Sequence, residues 1–246
     1  MKKIKFLDIP IDAISMSDTL KQIELAIQLK KQIHHTVVNA GKIVLMQQDK
    51  ALKDSVLNAD IINADGQAVV WASKFLGFRI PERVAGIDLM QNLVKLSYLN
   101  NYKCFFLGAR QEIILKVIKN YKQSFNSNII AGFRNGYFNE NDELQIAKDI
   151  SESGANILFV AISSPKKEIF LNKYKHHLSS VNFIMGVGGS FDVVAGKVKR
   201  APKWMQNFGL EWFYRFCQEP KRMWRRYLIG NVKFIWLVIK AYLTRK

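Results

Sequence analysis

Short apolar runs alternate with longer stretches of helical periodicity through the first 195 residues. The runs predict strands at Lys5–Ile9, Thr36–Asn39, Ile61–Asn63, Cys104–Leu107, Asn128–Gly132, Ile157–Ala161 and Phe183–Val187. The intervening patterns predict helices over Ser17–Lys30, Lys42–Gln48, Ala68–Leu76, Leu89–Leu99, Gln111–Phe125, Asp142–Ser153 and Lys166–His176. Ser17 or Asp18 is placed to cap the first helix, and Asp88 to cap the one from Leu89. Strand–helix alternation implies an α/β, Rossmann-like sandwich with a largely parallel sheet. In such sheets ligands sit beyond the carboxyl ends of the strands.

Small residues follow the predicted strands: Asn39-Ala40-Gly41, Asp65-Gly66, Gly108-Ala109-Arg110, Ser163-Ser164-Pro165 and Gly186-Val187-Gly188-Gly189-Ser190. Such loops let backbone amides approach a ligand, and helix starts favour phosphate. Their number points to a nucleotide or nucleotide-sugar site. GVGGSF is not a dinucleotide fingerprint, because Phe191 stands where the third glycine belongs; no Walker lysine follows.

Beyond Ala201 the strand signals stop. The pattern divides the chain into a core over residues 1–200 and a basic, aromatic, helical appendage over 201–246. Pro202 and Pro220 suit helix starts. Charge sharpens that division. The chain of 246 residues carries 37 Lys+Arg against 20 Asp+Glu, a net +17. Lys197–Lys246 alone holds 13 basic residues against Glu211 and Glu219, a net +11. Trp204, Trp212, Trp224 and Trp236 lie among them. Arg226, Lys233 and Lys240 are seven apart, while Trp224, Leu228, Ile235, Trp236, Ile239 and Leu243 supply apolar surface. That is the pattern of a helix lying in an anionic membrane interface, with core packing or an oligomer contact as alternatives. No uncharged apolar stretch of about 18 residues appears, and the basic N-terminus lacks a signal-peptide apolar region. An apolar content of 49% excludes a disordered chain, and two cysteines exclude a disulfide scaffold.

Asp65, in Asn63-Ala64-Asp65-Gly66, suits a general base on a sugar hydroxyl, or an Asx-turn. Arg83 suits a phosphate or carboxylate, or a surface ion pair. Ser164, Pro165 and Lys167 could surround a diphosphate, or merely start a helix. Asp192 could meet a ribose or base edge, or cap locally. The His34-His35 and His176-His177 pairs cannot each chelate one metal, since neighbouring side chains point apart. No HExxH, CxxC or DxD pattern exists. Cys104 reads as a buried strand residue.

In order and spacing, Asn63-Ala64-Asp65-Gly66, Val70-Trp71-Ala72-Ser73, Pro81-Glu82-Arg83-Val84-Ala85-Gly86-Ile87-Asp88-Leu89-Met90, Phe106-Leu107-Gly108-Ala109 and Asn135-Gly136-Tyr137-Phe138 resemble the WecG/TagA/CpsF glycosyltransferases. So do Ser164-Pro165-Lys166-Lys167-Glu168, Gly186–Asp192, Ala195-Gly196, Arg200-Ala201-Pro202, Gly209–Arg215 and Glu219–Arg222. The resemblance implies an inverting, metal-independent transferase with no cofactor. It would move an N-acetylmannosamine-type sugar from a UDP donor to a polyprenyl-diphosphate-linked sugar at the cytoplasmic membrane face, for cell-surface polysaccharide. It implies Asp65 as base and Arg83 as a substrate contact, with Asn39, Gly108, Ala109, Ser164, Pro165, Lys167, Gly188, Gly189 and Asp192 around the substrates. Arg215, Arg222 and Arg225 match the family's appendage arginines. The family commonly has a threonine shortly before its Asn-Ala segment, where this chain runs Thr36-Val37-Val38-Asn39-Ala40. It often has glutamine where this chain has Lys167. Expected partners are the donor, the lipid acceptor and an anionic membrane surface, without nucleic acid; a homo-oligomer stays open. Another UDP-hexose donor, or a basic Rossmann-like protein stacking bases on its tail, are the competing readings.

Overall fold

The computed structural model describes residues 3–244, except the side chains of Arg222, Arg225 and Arg226. A short hairpin, β1 (Lys3–Phe6) and β2 (Ile9–Asp12), precedes α1 (Met16–Gln28). Then follow β3 (Ile33–Val38), α2 (Ala40–Met46), α3 (Lys50–Leu57), β4 (Ile61–Ala64), α4 (Gln67–Phe75), α5 (Gly86–Asn100), β5 (Cys104–Gly108) and α6 (Gln111–Ser124). Next come β6 (Ile130–Arg134), α7 (Glu143–Glu152), β7 (Ile157–Ala161), α8 (Lys166–Lys173), β8 (Phe183–Gly186) and α9 (Ser190–Val194). The chain continues through α10 (Lys203–Asn207), α11 (Glu211–Gln218) and α12 (Pro220–Trp224) to α13 (Gly230–Leu243).

Six strands form one sheet in the order β4-β3-β8-β7-β5-β6, and every pairing is parallel. The central strands are apolar on both faces because helices cover both. Phe106, Phe159 and Met185 pack against α1, α5, α6 and α9. Their strand neighbours Leu107, Leu158, Val160 and Ile184 pack against α7 and α8 on the other side. A third cluster gathers β1, β2, α2, α3, α4 and the end of the chain.

Local details differ from the sequence expectation, among them α3 over Lys50–Leu57, where no element was predicted. The predicted first strand is two strands, because Leu7 and Asp8 adopt left-handed φ values of 47° and 64° and reverse the chain. Ser15, not Ser17 or Asp18, caps α1; its Oγ accepts from the Asp18 N–H at 3.1 Å. Asp88 does not cap α5, which begins two residues earlier at Gly86; its carboxylate is held instead by Arg200.

The C-terminal helices are tied to the core at several points. Phe234 and Val238 of α13 are buried with Phe6 and the α2 residues; the Phe6 and Phe234 ring centroids are 6.5 Å apart. Leu228, Val232, Ile235, Trp236, Ile239 and Leu243 remain exposed. A π-helical turn at Arg225–Ile229 precedes α13, so residues 224–243 are not one continuous α-helix. Among the described residues no helix is long and apolar enough to cross a membrane.

Candidate active site

All the predicted site loops emerge at the carboxyl edge of the sheet. The N–H of Asp65, just past β4, donates to Val38 O at 2.9 Å, which sets the carboxylate beside the end of β3. Asp65 Oδ1 accepts from the Gly86 N–H at 3.3 Å, at the start of α5. Gly66 is packed so closely against Asn39 that an added Cβ would lie 3.3 Å from Asn39 Cβ. Burial raises the Asp65 pKa above the usual carboxylate value, and the Glu211 charge adds to the rise. Arg83, the Gly86 N–H and Lys42 oppose it without cancelling it. An aspartate in such surroundings takes up a proton more readily than an exposed one, which suits a base.

Arg83 Nη1 donates to Glu211 Oε2 at 2.8 Å, joining the residue 77–85 stretch to α11. Asn39 caps α2, its Oδ1 accepting from the Lys42 N–H at 3.0 Å. Val37 faces Gly86, whose added Cβ would stand 3.9 Å from Val37 Cγ2. Thr36 points the other way, within 3.4 Å of Lys42 Nζ. Strand alternation therefore puts Val37, rather than Thr36, on the side of Asp65's helix-start partner.

Beyond β7, Ser164 Oγ donates to Glu168 Oε2 at 2.9 Å, and the Ser164-Pro165 peptide is cis. Lys167 and Lys42 both place Nζ 2.7 Å from Glu168 Oε1. All three side chains are buried. Burial alone would raise the Glu168 pKa, but the two lysines outweigh it and lower it to about 2. Lys167 runs across Gly186, where an added Cβ would sit 2.8 Å from its Cδ. Gly186 is therefore glycine because a buried lysine needs the space. The signal for Lys42 was a lone cation in the otherwise apolar Ala40–Met46, directly after a strand end; sequence reasoning passed over it.

Gly189 has a similar neighbour. Arg215 of α11 lays its guanidinium where a Gly189 Cβ would project. Gly188 adopts a left-handed φ of 53° with open space around it. At the far end of the edge, Gly108 presses against the Ala161 backbone. The Ala109 N–H donates to Ala161 O at 3.0 Å, and Ala109 O accepts from the Gly136 N–H at 2.9 Å. The polar backbone of Ala109 is thus engaged in joining loops. Asp192 stands 3.7 Å from Lys197 Nζ. The Arg222 and Arg225 side chains lie outside the described residues. Among the described residues no three His, Cys, Asp or Glu side chains converge as a metal would require. The edge as a whole assembles one raised-pKa carboxylate, several cations and glycine-lined space, a set suited to anionic substrates and proton transfer.

Comparison with known proteins agrees with the order of these motifs. Residues 4–246 match the family described as "Glycosyl transferase WecG/TagA/CpsF family". A Bacillus spizizenii protein named N-acetylglucosaminyldiphosphoundecaprenol N-acetyl-beta-D-mannosaminyltransferase is 38% identical over 183 residues, covering 74% of this chain and 69% of that one. A Bacillus subtilis protein of the same name is 33% identical over 199 residues, covering 81% of this chain and 76% of its own.

Proposed function

Since the chain belongs to the WecG/TagA/CpsF family of glycosyltransferases, we propose that it moves an N-acetylmannosamine-type sugar from a UDP donor to a polyprenyl-diphosphate-linked N-acetylglucosamine. The acceptor is the one named in both relatives. The reaction is a single displacement that inverts the anomeric centre. Asp65 takes the proton from the acceptor hydroxyl. The freed oxygen attacks the anomeric carbon as its bond to the diphosphate breaks, and UDP departs with the bonding electrons. Proton transfer of this kind contributes roughly 10²–10⁴-fold, and positioning supplies much of the rest.

Leaving-group charge is balanced by protein cations rather than by a metal. Arg83 and Arg215 stand at the site, and Lys42 with Lys167 outnumber the one carboxylate they share. The Ser163–Lys167 and Gly186–Ser190 loops hold the nucleotide. The exposed face of α13, with the aromatic residues of α10 and α11, rests on the anionic cytoplasmic membrane surface. There the lipid-borne acceptor resides, and the product feeds cell-surface polysaccharide.

The observation that carries this reading is Asp65: a half-buried carboxylate of raised pKa at the sheet's carboxyl edge, beside an arginine and a helix start. The experiment is a panel of UDP-sugars offered with a lipid-diphosphate N-acetylglucosamine acceptor, following UDP release with EDTA present. UDP-N-acetylmannosamine is expected to turn over. Preference for another UDP-hexose, or dependence on a divalent cation, would replace the corresponding part of the reading.

A further inference from the structure

The charged groups around Asp65 close into a ring that includes a residue from the C-terminal helices. Gly86 donates to Asp65 at the start of α5. Asp88, in the same first turn, is gripped by both terminal nitrogens of Arg200, Nη1 on Oδ1 and Nη2 on Oδ2, the latter at 2.7 Å. Arg200 Nε donates to Glu211 Oε1 at 3.2 Å. Glu211 Oε2 accepts from Arg83 Nη1 at 2.8 Å. The Arg83 charge acts in turn on Asp65. Each Glu211 oxygen thus serves one guanidinium, and all four charged side chains of the clasp are partly buried.

Arg83 needs such a partner. It lies in residues 77–85, which form neither helix nor strand. An arginine side chain carries about 2 kcal/mol of rotamer entropy, so a free one wanders. Among the described residues its hydrogen bond to Glu211 is one-pronged, through Nη1, unlike the two-pronged grip of Arg200 on Asp88. A one-pronged hold fixes the guanidinium while leaving donors for an anion.

We propose that Glu211 and Arg200 are positioning residues of the transfer reaction: Asp88 pins Arg200, Arg200 orients Glu211, and Glu211 holds Arg83 ready for the substrate's phosphate. The inference rests on the transferase reading above and adds two residues that act through Arg83.

The test is full-length Glu211→Gln, which keeps size and one acceptor but loses the charge. Its kcat/KM is expected to fall roughly 10- to 100-fold, the range of one charge-assisted hydrogen bond. Combined with Arg83→Gln, it should cost nothing more than Arg83→Gln alone, because it acts through that residue. The groups facing Asp65 are Arg83, Lys42, Glu211 and the Gly86 N–H. Removing the one anion among them should move the acid limb of kcat/KM to lower pH, a shift that a merely structural loss would not produce. Arg200→Gln tests the same link from the other side and should lose activity in the same direction.

Wild-type kcat/KM in folded Glu211→Gln, losses that multiply in the double variant, or an unmoved acid limb would overturn the clasp. A wild-type protein with no transfer activity would instead overturn the transferase reading, and the clasp with it.

Discussion

Lys42 and Glu168 meet at 2.7 Å inside the protein, one from the helix after β3 and the other from the helix after β7. Lys167 approaches the same carboxylate oxygen. One anion thereby holds two buried cations together at the sheet's carboxyl edge. Glu168→Gln should remove the anion that both buried lysines share and cost about 3–5 kcal/mol. Lys42→Met should cost much less, since Lys167 still balances the carboxylate. Urea unfolding at pH 7 of the two variants distinguishes the cases.

The same carboxylate gives an acid dependence. With its pKa lowered to about 2 from an unfolded value of 4.5, Glu168 stabilises the fold above pH 4.5. That contribution, about 3 kcal/mol, is lost as pH falls from 4.5 towards 2. His34 and His35 act in a higher window. Burial lowers each to about 4 from 6.5, chiefly by desolvation. Burial penalises the charged imidazole, so each histidine costs nothing above pH 6.5 and destabilises the fold progressively as pH falls from 6.5 towards 4. Unfolding free energy measured against pH should therefore decline in two stages, first between 6.5 and 4, then below 4.5. His35→Asn should shrink the first stage, leaving the share that His34 contributes.

Gly189→Ala offers a test of Arg215. The new methyl would occupy the place of a guanidinium at the end of a flexible side chain, so the fold should survive with little loss of stability. Gly189 has an ordinary negative φ of −77°, so no backbone strain accompanies the change. If Arg215 serves the substrate diphosphate, kcat/KM should drop about tenfold, the scale of one weakened charge-assisted contact. Steady-state kinetics beside a melting curve measures both.

Phe234 and Trp236 of α13 are two residues apart and have opposite surroundings: Phe234 is 4% exposed and Trp236 60%. Phe234→Ala should destabilise the protein by about 3–5 kcal/mol, as buried Phe truncations do. Trp236→Glu should leave the melting temperature nearly unchanged and reduce sedimentation with anionic liposomes. Equal liposome binding by wild type and Trp236→Glu would remove this face from membrane contact.

The sheet and its loops were legible because each strand is an apolar run ended by small residues, and a parallel sheet buried on both faces needs both features. Asp65 stood out as an acid at one of those ends. The β1–β2 turn did not, because Leu7 bends backwards without glycine or asparagine to announce it. Lys42 and Glu168 were hidden for a different reason: their burial depends on each other, across 126 positions of sequence that no periodicity spans. Likewise, Glu211 read as part of a basic, aromatic tail, and Arg200 as the end of the core. Only the fold shows that Glu211 faces two arginines of the first 200 residues. The packing of α13 was half legible: its apolar positions outnumber one face, and the sequence could not say that Phe234 and Val238 are the ones turned inward.

The most direct test of the account is Asp65→Asn in the transfer assay, with folding verified by circular dichroism. The amide keeps the size of the side chain and its bond from Gly86 but cannot take the acceptor's proton. The account predicts a loss of roughly 10²–10⁴-fold in kcat, with little change in stability. Near-wild-type turnover by the folded variant would contradict it.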